Sequence, residues 1–365
     1  MRDHLLALAV HCHPAGEIEA GRRACEKLLA GELLPHEDLA VRALRTNYTT
    51  TLPNLATSAR FVPFDIVPAH HGWTTFNPTL LYREDKLWAI VRSSNYRIVD
   101  GRYVTPEEDG GKIRTENILC RLTNGLDVDW YSVIAGPDYE ATDYPVTGLE
   151  DCRLRETADG VGVSATVRNV APFDGRCRIA TAELDLGTPQ FHSLHVIESA
   201  EAQTHEKNWM PLVGKAAWIH SANLDGFTVT VEESEDMAGE YHRLRRGRAP
   251  LVSREFRGGS QAVRFRGGWL ACVHEVAVGP SNQRVYEHRL VWWDDSLRMA
   301  GISLPFAFRE SQAIEFAAGI AVIGDRVVIS FGVRDEEAWV VDIQEGEAWR
   351  MLTMAPGIPG RTSLR

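Results

Sequence analysis

The chain repeats one local pattern five times. A short run rich in Val, Ile, Trp or Tyr enters a Gly, Asp or Lys turn, and a second such run leaves it. The pairs are Thr79–Arg83 with Leu87–Arg92, Asp151–Glu156 with Val161–Arg168, and Trp209–Val213 with Ala216–Ser221, then Ser260–Phe265 with Trp269–Val276 and Ile314–Ile323 with Arg326–Val333. Starts at 79, 151, 209, 260 and 314 lie 72, 58, 51 and 54 residues apart. A third run follows each pair: Glu116–Leu122, Cys177–Leu184, Phe227–Glu233, Tyr286–Trp293 and Ala338–Ile343. A fourth follows at Trp130–Ile134, Phe191–Ile197 and Trp349–Met354. Alternating apolar runs bounded by turn residues read as strands, and four-strand units at periods of ~50 residues read as propeller blades. The expectation is a mainly β chain, a five-bladed β-propeller with a short N-terminal α-helical segment. A β-sandwich of similar strand count is the alternative, and the period argues against it.

The 365 residues admit two domains or one large all-β domain. Residues 3–58 differ in texture, with Leu and Ala at helical spacing. A helix around Glu17, Ala20, Ala24, Lys27 and Leu28, and another from Pro35 to Arg45, make a helical hairpin or triplet. The expected organisation is a helical segment over 1–58, the propeller over 59–356 and a tail over 357–365. A formal net charge of −11 argues against a nucleic-acid binder and against adhesion to an anionic membrane. No apolar run approaches the ~20 residues of a membrane span. Leu5–Val10 is too short for a secretory core, and no small-residue cleavage site follows it. Six scattered cysteines without a C-x-x-C pair read as reduced thiols, so the expected location is cytoplasmic.

A propeller turns sequence position into place. The start of each blade's first strand and the end of its second share one face. The starts carry Asn77, Glu150 with Asp151, Lys207 with Asn208, Arg257, and Glu315. The ends carry Arg92, Arg168, His220, His274 with Glu275, and Arg334 with Asp335. One mouth of the channel should therefore gather carboxylates, guanidinium groups, a lysine and imidazoles. Convergent titratable groups in a concave place are a functional pattern. Merely solvated blade edges are the plainer reading. Against it, Asn77-Pro78, Glu150-Asp151 and Lys207-Asn208-Trp209 sit in apolar surroundings.

At these residues the chain resembles the β-mannoside phosphorylases and β-mannosidases of glycoside hydrolase family 130 and the related mannosyltransferase/phosphorylases. Phe76-Asn77-Pro78 looks like the family's F-N-P, and Glu150-Asp151-Cys152-Arg153 its E-D-P-R. Lys207-Asn208 looks like its K-N segment, Gly258-Gly259-Ser260 with His274 its Gly-rich strand, and Phe331-Gly332-Val333-Arg334-Asp335 its Y-G-A-A-D. The resemblance spans about residues 61–345. Cys152 in place of proline, Glu275 after the histidine, Ser260-Gln261 in place of a diproline, and the N-terminal helices depart from the pattern.

The resemblance implies a carbohydrate-active enzyme. It would be a glycoside phosphorylase or glycosyltransferase that acts on β-mannoside-like linkages with inversion. Cleavage needs a proton on the leaving oxygen and a nucleophile at the anomeric carbon. Asp151 is the implied general acid, with Glu150 beside it raising its pKa by repulsion and Arg153 opposing that. Lys207, Arg168, Arg153 and His274 are candidates for a phosphate clamp, arginine being suited to bidentate contact. Asn77, Asn208, Asp335, Arg92, Glu315 and Trp209 or Tyr96 would hold the sugar, the aromatic ring by stacking. Glu275 or Glu315 could instead serve a hydrolase as base. No cofactor or metal is implied; inorganic phosphate or a sugar phosphate would be co-substrate. The expected partner is an oligosaccharide or sugar phosphate, with neither nucleic acid nor membrane, and a homo-oligomer stays open. The competing classes are a hydrolase, a non-catalytic glycan-binding propeller and a protein-interaction propeller.

Other motifs read plainly. His11-Cys12-His13 lacks further ligands at metal spacing and reads as a helix end. Arg243, Arg245, Arg246 and Arg248 read as a solvated edge strand or loop, and Trp292-Trp293 as packing. Cys152 and Cys272 read as buried. No P-loop is present, and Gly258-Gly259 lacks the helix of a dinucleotide fingerprint.

Overall fold

The computed structural model describes residues 1–12, 15, 17–157, 160–170, 175–197, 205–215, 217–221, 227–232, 243–248, 256–278, 284–310 and 313–354. The expected tail at 357–365, the turn residues Ala158 and Asp159, Ala216 and His13 lie outside them.

Strands dominate, after three helices: α1 (Arg2–His11), α2 (Ile18–Leu29) and α3 (Pro35–Arg45). Proline opens α3, where its missing N–H costs nothing, and Glu37 accepts from the Leu34 N–H at 2.9 Å. Ala9, Cys12, Ala24, Cys25, Leu28, Val41 and Tyr48 close a small core among the three.

Five larger sheets follow. The first holds Thr74–Arg83, Lys86–Ser94, Ile113–Leu122 and Val128–Val133 in sequential antiparallel order. The second holds Glu150–Glu156, Val161–Val167, Arg178–Asp185 and Gln190–Val196. The third holds Met210–Pro211, Ala217–Ser221, Phe227–Glu232 and Arg243–Arg248, so the arginine run forms the edge strand. The fourth is built on Val263–Phe265, Gly268–Val278, Arg284–Asp294 and Met299–Ser303.

The fifth sheet corrects one expectation. Its inner three strands, Glu315–Ile323, Arg326–Val333 and Glu337–Gln344, come from the expected place. The first half of the expected fourth at Trp349–Met354 instead ends the helix Glu345–Met351, and its second half, Leu352–Met354, pairs with Met299–Ser303 of the fourth sheet. Glu345 and Glu347 suit a helix N-terminus, and Trp349 packs edge-on against Trp292 at 5.6 Å. The open edge is covered from the other end of the chain: Arg60–Pro63 runs antiparallel to Glu337–Gln344.

The innermost strands are tied to one another. Thr79 Oγ1 accepts from the Leu154 N–H at 3.2 Å. The Gln261 amide donates to the carbonyls of Leu80 and Ile320, the latter at 3.0 Å. Strands from the first, second, fourth and fifth sheets thus meet at one place. Glycine is required where they meet most closely. A Cβ at Gly258 would stand 1.8 Å from the Asn208 carbonyl oxygen, and one at Gly259 2.3 Å from that of Cys272.

The helices are fastened to the fourth sheet by buried charge. Arg42 and Arg45 each donate to Glu275 Oε2 at 3.0 Å, Arg289 donates to Glu275 Oε1 at 2.6 Å, and Arg45 Nε donates to Glu287 at 3.1 Å. Trp292 and Trp293 are buried, and all six cysteines are free and buried. Among the described residues no helix is long and apolar enough to cross a membrane.

Candidate active site

Where the inner strands begin, a cavity of about 360 Å³ opens. The way these strands start explains its chemistry. Asn77, Asp151 and Asn208 stand at equivalent points of three successive sheets, with φ of 49°, 51° and 60°. Asn and Asp tolerate this left-handed conformation best among residues with side chains. At Asn77 and Asp151 it accompanies a bulge, between Phe76 and Thr79 and between Glu150 and Arg153. A bulge re-aims a side chain out of the strand's alternation. All three side chains face the cavity.

Asp151 is the centre of the floor. Its Oδ1 accepts from Asn77 Nδ2 and from Arg92 Nη1, each at 3.0 Å. Burial alone would raise its pKa, but Arg92, Arg153 and the Asn77 amide outweigh burial and hold the carboxyl below its usual value. Glu150 lies beside it, 3.6 Å from Arg92 and 3.3 Å from Arg168. Asp335 has the opposite balance. It sits in a turn at φ 56°, and its Oδ2 accepts from the Tyr96 hydroxyl at 2.8 Å. Burial, aided by the charges of Asp151 and Glu150, raises its pKa despite Arg92 and Tyr96. Burial also holds Tyr96 well above its ordinary value, so its hydroxyl keeps the proton that it donates.

Lys207, Arg168 and Arg257 supply positive charge to the wall, and Lys207 and Arg257 make no ion pair with a carboxylate among the described residues. His274 faces the cavity stacked on Tyr286 at 5.1 Å. Burial first, then His288, Arg257 and Arg153, push its pKa well down, so it is neutral at neutral pH.

Four expected site residues do not line this cavity, each for a geometric reason. Glu275 follows His274 in an extended strand; successive side chains point to opposite faces, and Glu275 meets the arginines under the helices. Glu315 stands between the lining residues Ile314 and Phe316 and turns the other way. Its carboxylate accepts the N–H groups of Phe308, Arg309 and Glu310 at 2.5, 2.9 and 3.0 Å. Trp209, next to the lining residue Asn208, is buried and donates to Glu206 at 3.0 Å. Arg153 lies behind the floor. It donates to the Asp151 carbonyl at 2.6 Å, to the Gly259 carbonyl at 2.7 Å and to Asn208 Oδ1 at 3.1 Å. Asn77, Arg92, Glu150, Asp151, Arg168, Lys207, Asn208, His274 and Asp335 are brought together. Tyr103, Arg284 and Tyr286 also line the cavity and were absent from the expected set.

This is the fold of mannoside phosphorylases and glycosyl hydrolases. The chain is similar to a β-1,2-mannobiose phosphorylase from Listeria innocua, with 14% identity, a TM-score of 0.51, and 83% of this chain and 98% of that chain covered. It is likewise similar to a glycosyl hydrolase from Bacteroides ovatus, with 16% identity, a TM-score of 0.52, and coverage of 80% and 96%. At these identities the likeness is one of fold. No family model and no curated protein matches the sequence.

Proposed function

We propose that the five sheets close as the blades of a β-propeller and that the chain is a glycoside phosphorylase or glycosyltransferase of β-mannoside-like linkages, working with inversion. The observation that carries this is the composition of one cavity. Carboxyls whose pKa values are shifted in opposite directions share it with Arg168, Lys207 and Arg257. Pairs of carboxyls driven apart in pKa mark acid–base chemistry, and a cationic wall suits a phosphate nucleophile. In the reaction the anomeric C–O bond breaks as a phosphate oxygen bonds from the opposite face, and the leaving oxygen takes a proton.

Asp151 is the proposed donor, on the floor beside Asn77 and Arg92. A second assignment, to Asp335, is favoured by its raised pKa, since a donor must hold its proton at the working pH. Phosphate, or the phosphate of a sugar phosphate, rests on Arg168, Lys207 and Arg257 in this reading, with neutral His274 as a hydrogen-bonding neighbour.

The test is incubation with mannose 1-phosphate or GDP-mannose and a panel of acceptor sugars. Product formation supports the proposal. Phosphate-independent hydrolysis of a β-mannoside moves the protein to the hydrolases. Asp151→Asn should lower turnover about 10²–10⁴-fold with sugar still bound. Sugar binding with no turnover in the unmodified protein identifies a non-catalytic glycan binder.

A further inference from the structure

Three residues of the cavity wall, Arg257, His274 and Tyr286, belong to the fourth sheet or pair with it. Each has a chain neighbour in the buried charge beneath α3. Glu275 follows His274, Glu287 follows Tyr286, and Phe256, which precedes Arg257, carries the Arg289 guanidinium 5.4 Å above its ring. Alternation along the strands puts His274 and Tyr286 on one face and Glu275 and Glu287 on the other. On the cavity face the two rings stack at 5.1 Å. On the far face the two carboxylates are directly opposed in the antiparallel register.

Like charges so placed push the strands apart unless they are neutralised. The sheet supplies Arg289, which donates to Glu275 Oε1 at 2.6 Å. The rest comes from α3. Arg45 donates from Nη2 to Glu275 Oε2 at 3.0 Å and from Nε to Glu287 Oε2 at 3.1 Å, so one guanidinium spans both carboxylates. Arg42 adds a bond to Glu275 Oε2 at 3.0 Å. Glu275 and Glu287 are buried, and so is Arg45, which leaves no room for water to take over this role. Glu275 and the N-terminal helices are both departures from the pattern that the chain otherwise resembles. Their contact makes the two departures one feature.

We propose that α3 is a clamp on the fourth-sheet wall of the cavity and that Arg45 is a positioning residue. By joining Glu275 to Glu287 it fixes the two strands at the register where His274 and Tyr286 stack into the cavity. The helical segment is therefore part of the site's working structure, although none of its residues lines the cavity. The clamp itself stands on the contacts under α3; only its effect on ligand binding rests on the reading of the cavity as a phosphate and sugar site.

The experiment compares the unmodified protein with Arg45→Lys, Arg42→Gln and Glu347→Ala at a temperature where circular dichroism shows each folded. Lysine keeps the charge of Arg45 but lacks the fork that spans two carboxylates. Glu347 holds Thr57 and Ser58 at 3.1 Å, outside the cluster, and its variant is the control for general loosening. The readouts are the His274 ring signals in the histidine-labelled protein, assigned with His274→Gln, and calorimetric titration with inorganic phosphate. Arg45→Lys is expected to shift the His274 signals and to weaken phosphate binding fivefold or more. Arg42→Gln, which leaves Arg45 in place, should move both in the same direction by less, and it decides the matter if Arg45→Lys does not fold. Glu347→Ala should leave the signals in place and binding within twofold. Unmoved His274 signals in the folded arginine variants, or equal shifts in Glu347→Ala, overturn the clamp. If the unmodified protein binds no phosphate, the phosphate reading of the cavity falls, and the His274 signals alone decide the clamp.

Discussion

Arg92 reaches across from the first sheet to bond Asp151 of the second at 3.0 Å. The contact joins the end of one hairpin's second strand to the start of the next hairpin's first. Because the guanidinium is the largest influence opposing burial at Asp151, its removal has a defined sign. Arg92→Gln should raise the Asp151 pKa. Carboxyl NMR titration of Asp151, with Asp151→Asn to assign the signal, reads this; an unmoved titration refutes the control assigned to Arg92.

Acid should destabilise the fold in two stages. His288 is buried and neutral, its pKa pushed down to about 3, so protonation favours the unfolded chain as pH falls below the ordinary histidine value of 6.5. Glu275 is opposed by burial, yet Arg45, Arg289 and Arg42 bring it to about 2. Its contribution is complete above the unfolded value of 4.5 and is lost as pH falls toward 2. Each group adds at most about 1.4 kcal/mol per pH unit. Denaturant midpoints measured from pH 8 to 3 should fall in both windows, and His288→Phe should make the fall between pH 6.5 and 3 shallower, the remainder above 4.5 belonging to buried His274. A flat profile across pH 6.5 to 3 contradicts both burial assignments.

The buried charge beneath the helices makes a second stability test. Arg45→Met leaves Glu275 and Glu287 short of a partner, and removal of one member of a buried pair typically costs about 3–5 kcal/mol. Replacing Glu287 by Gln in the same chain should restore part of that loss. Thermal unfolding of the single and double variants checks it, and a double variant less stable than the sum of the singles contradicts the pairing.

The repeat of the strands was readable because turn residues recur at hairpin spacing: the first three strands of all five sheets follow it, and the expected fourth strand stands in the first two. The last sheet was not, because its outer strand, Arg60–Pro63, comes from hundreds of residues earlier and carries no local mark of its partner. For the site, position on a strand predicted direction well where a bulge or a strand end exposes the residue, as at Asn77 and Asp151. It failed at Glu275, Glu315 and Trp209, each adjacent to a lining residue and sent to the opposite face by the two-residue alternation. Tyr103 lies on a hairpin of Arg97–Val99 with Arg102–Val104 that had a legible signal, the Asp100-Gly101 pair of its turn, which the five-fold repeat overshadowed. Arg284 and Tyr286 begin a third strand, a position outside the set of first-strand starts and second-strand ends.

Gly258 should tolerate no side chain. A Cβ there collides with the Asn208 backbone, which cannot swing aside as a long side chain could. Gly258→Ala should cost about 1–3 kcal/mol through backbone displacement and should misplace Lys207 and Asn208. The check is paired: a lowered unfolding midpoint together with weakened phosphate binding. Unchanged stability would mean that the two strands part freely.

Tyr96→Phe separates the two assignments of the proton donor. The Tyr96 hydroxyl stabilises the charged form of Asp335, so its loss raises the Asp335 pKa further. The ring is retained, and with it the edge contact to Tyr103. If Asp335 gives the proton, the alkaline limb of the pH–rate profile follows its titration and moves to higher pH. If Asp151 gives it, the limb stays near its original place, because Tyr96 makes no hydrogen bond to Asp151. An aryl mannoside whose leaving group needs no proton sharpens the comparison: its turnover should survive replacement of the true donor by asparagine and should fall when the other carboxylate is replaced.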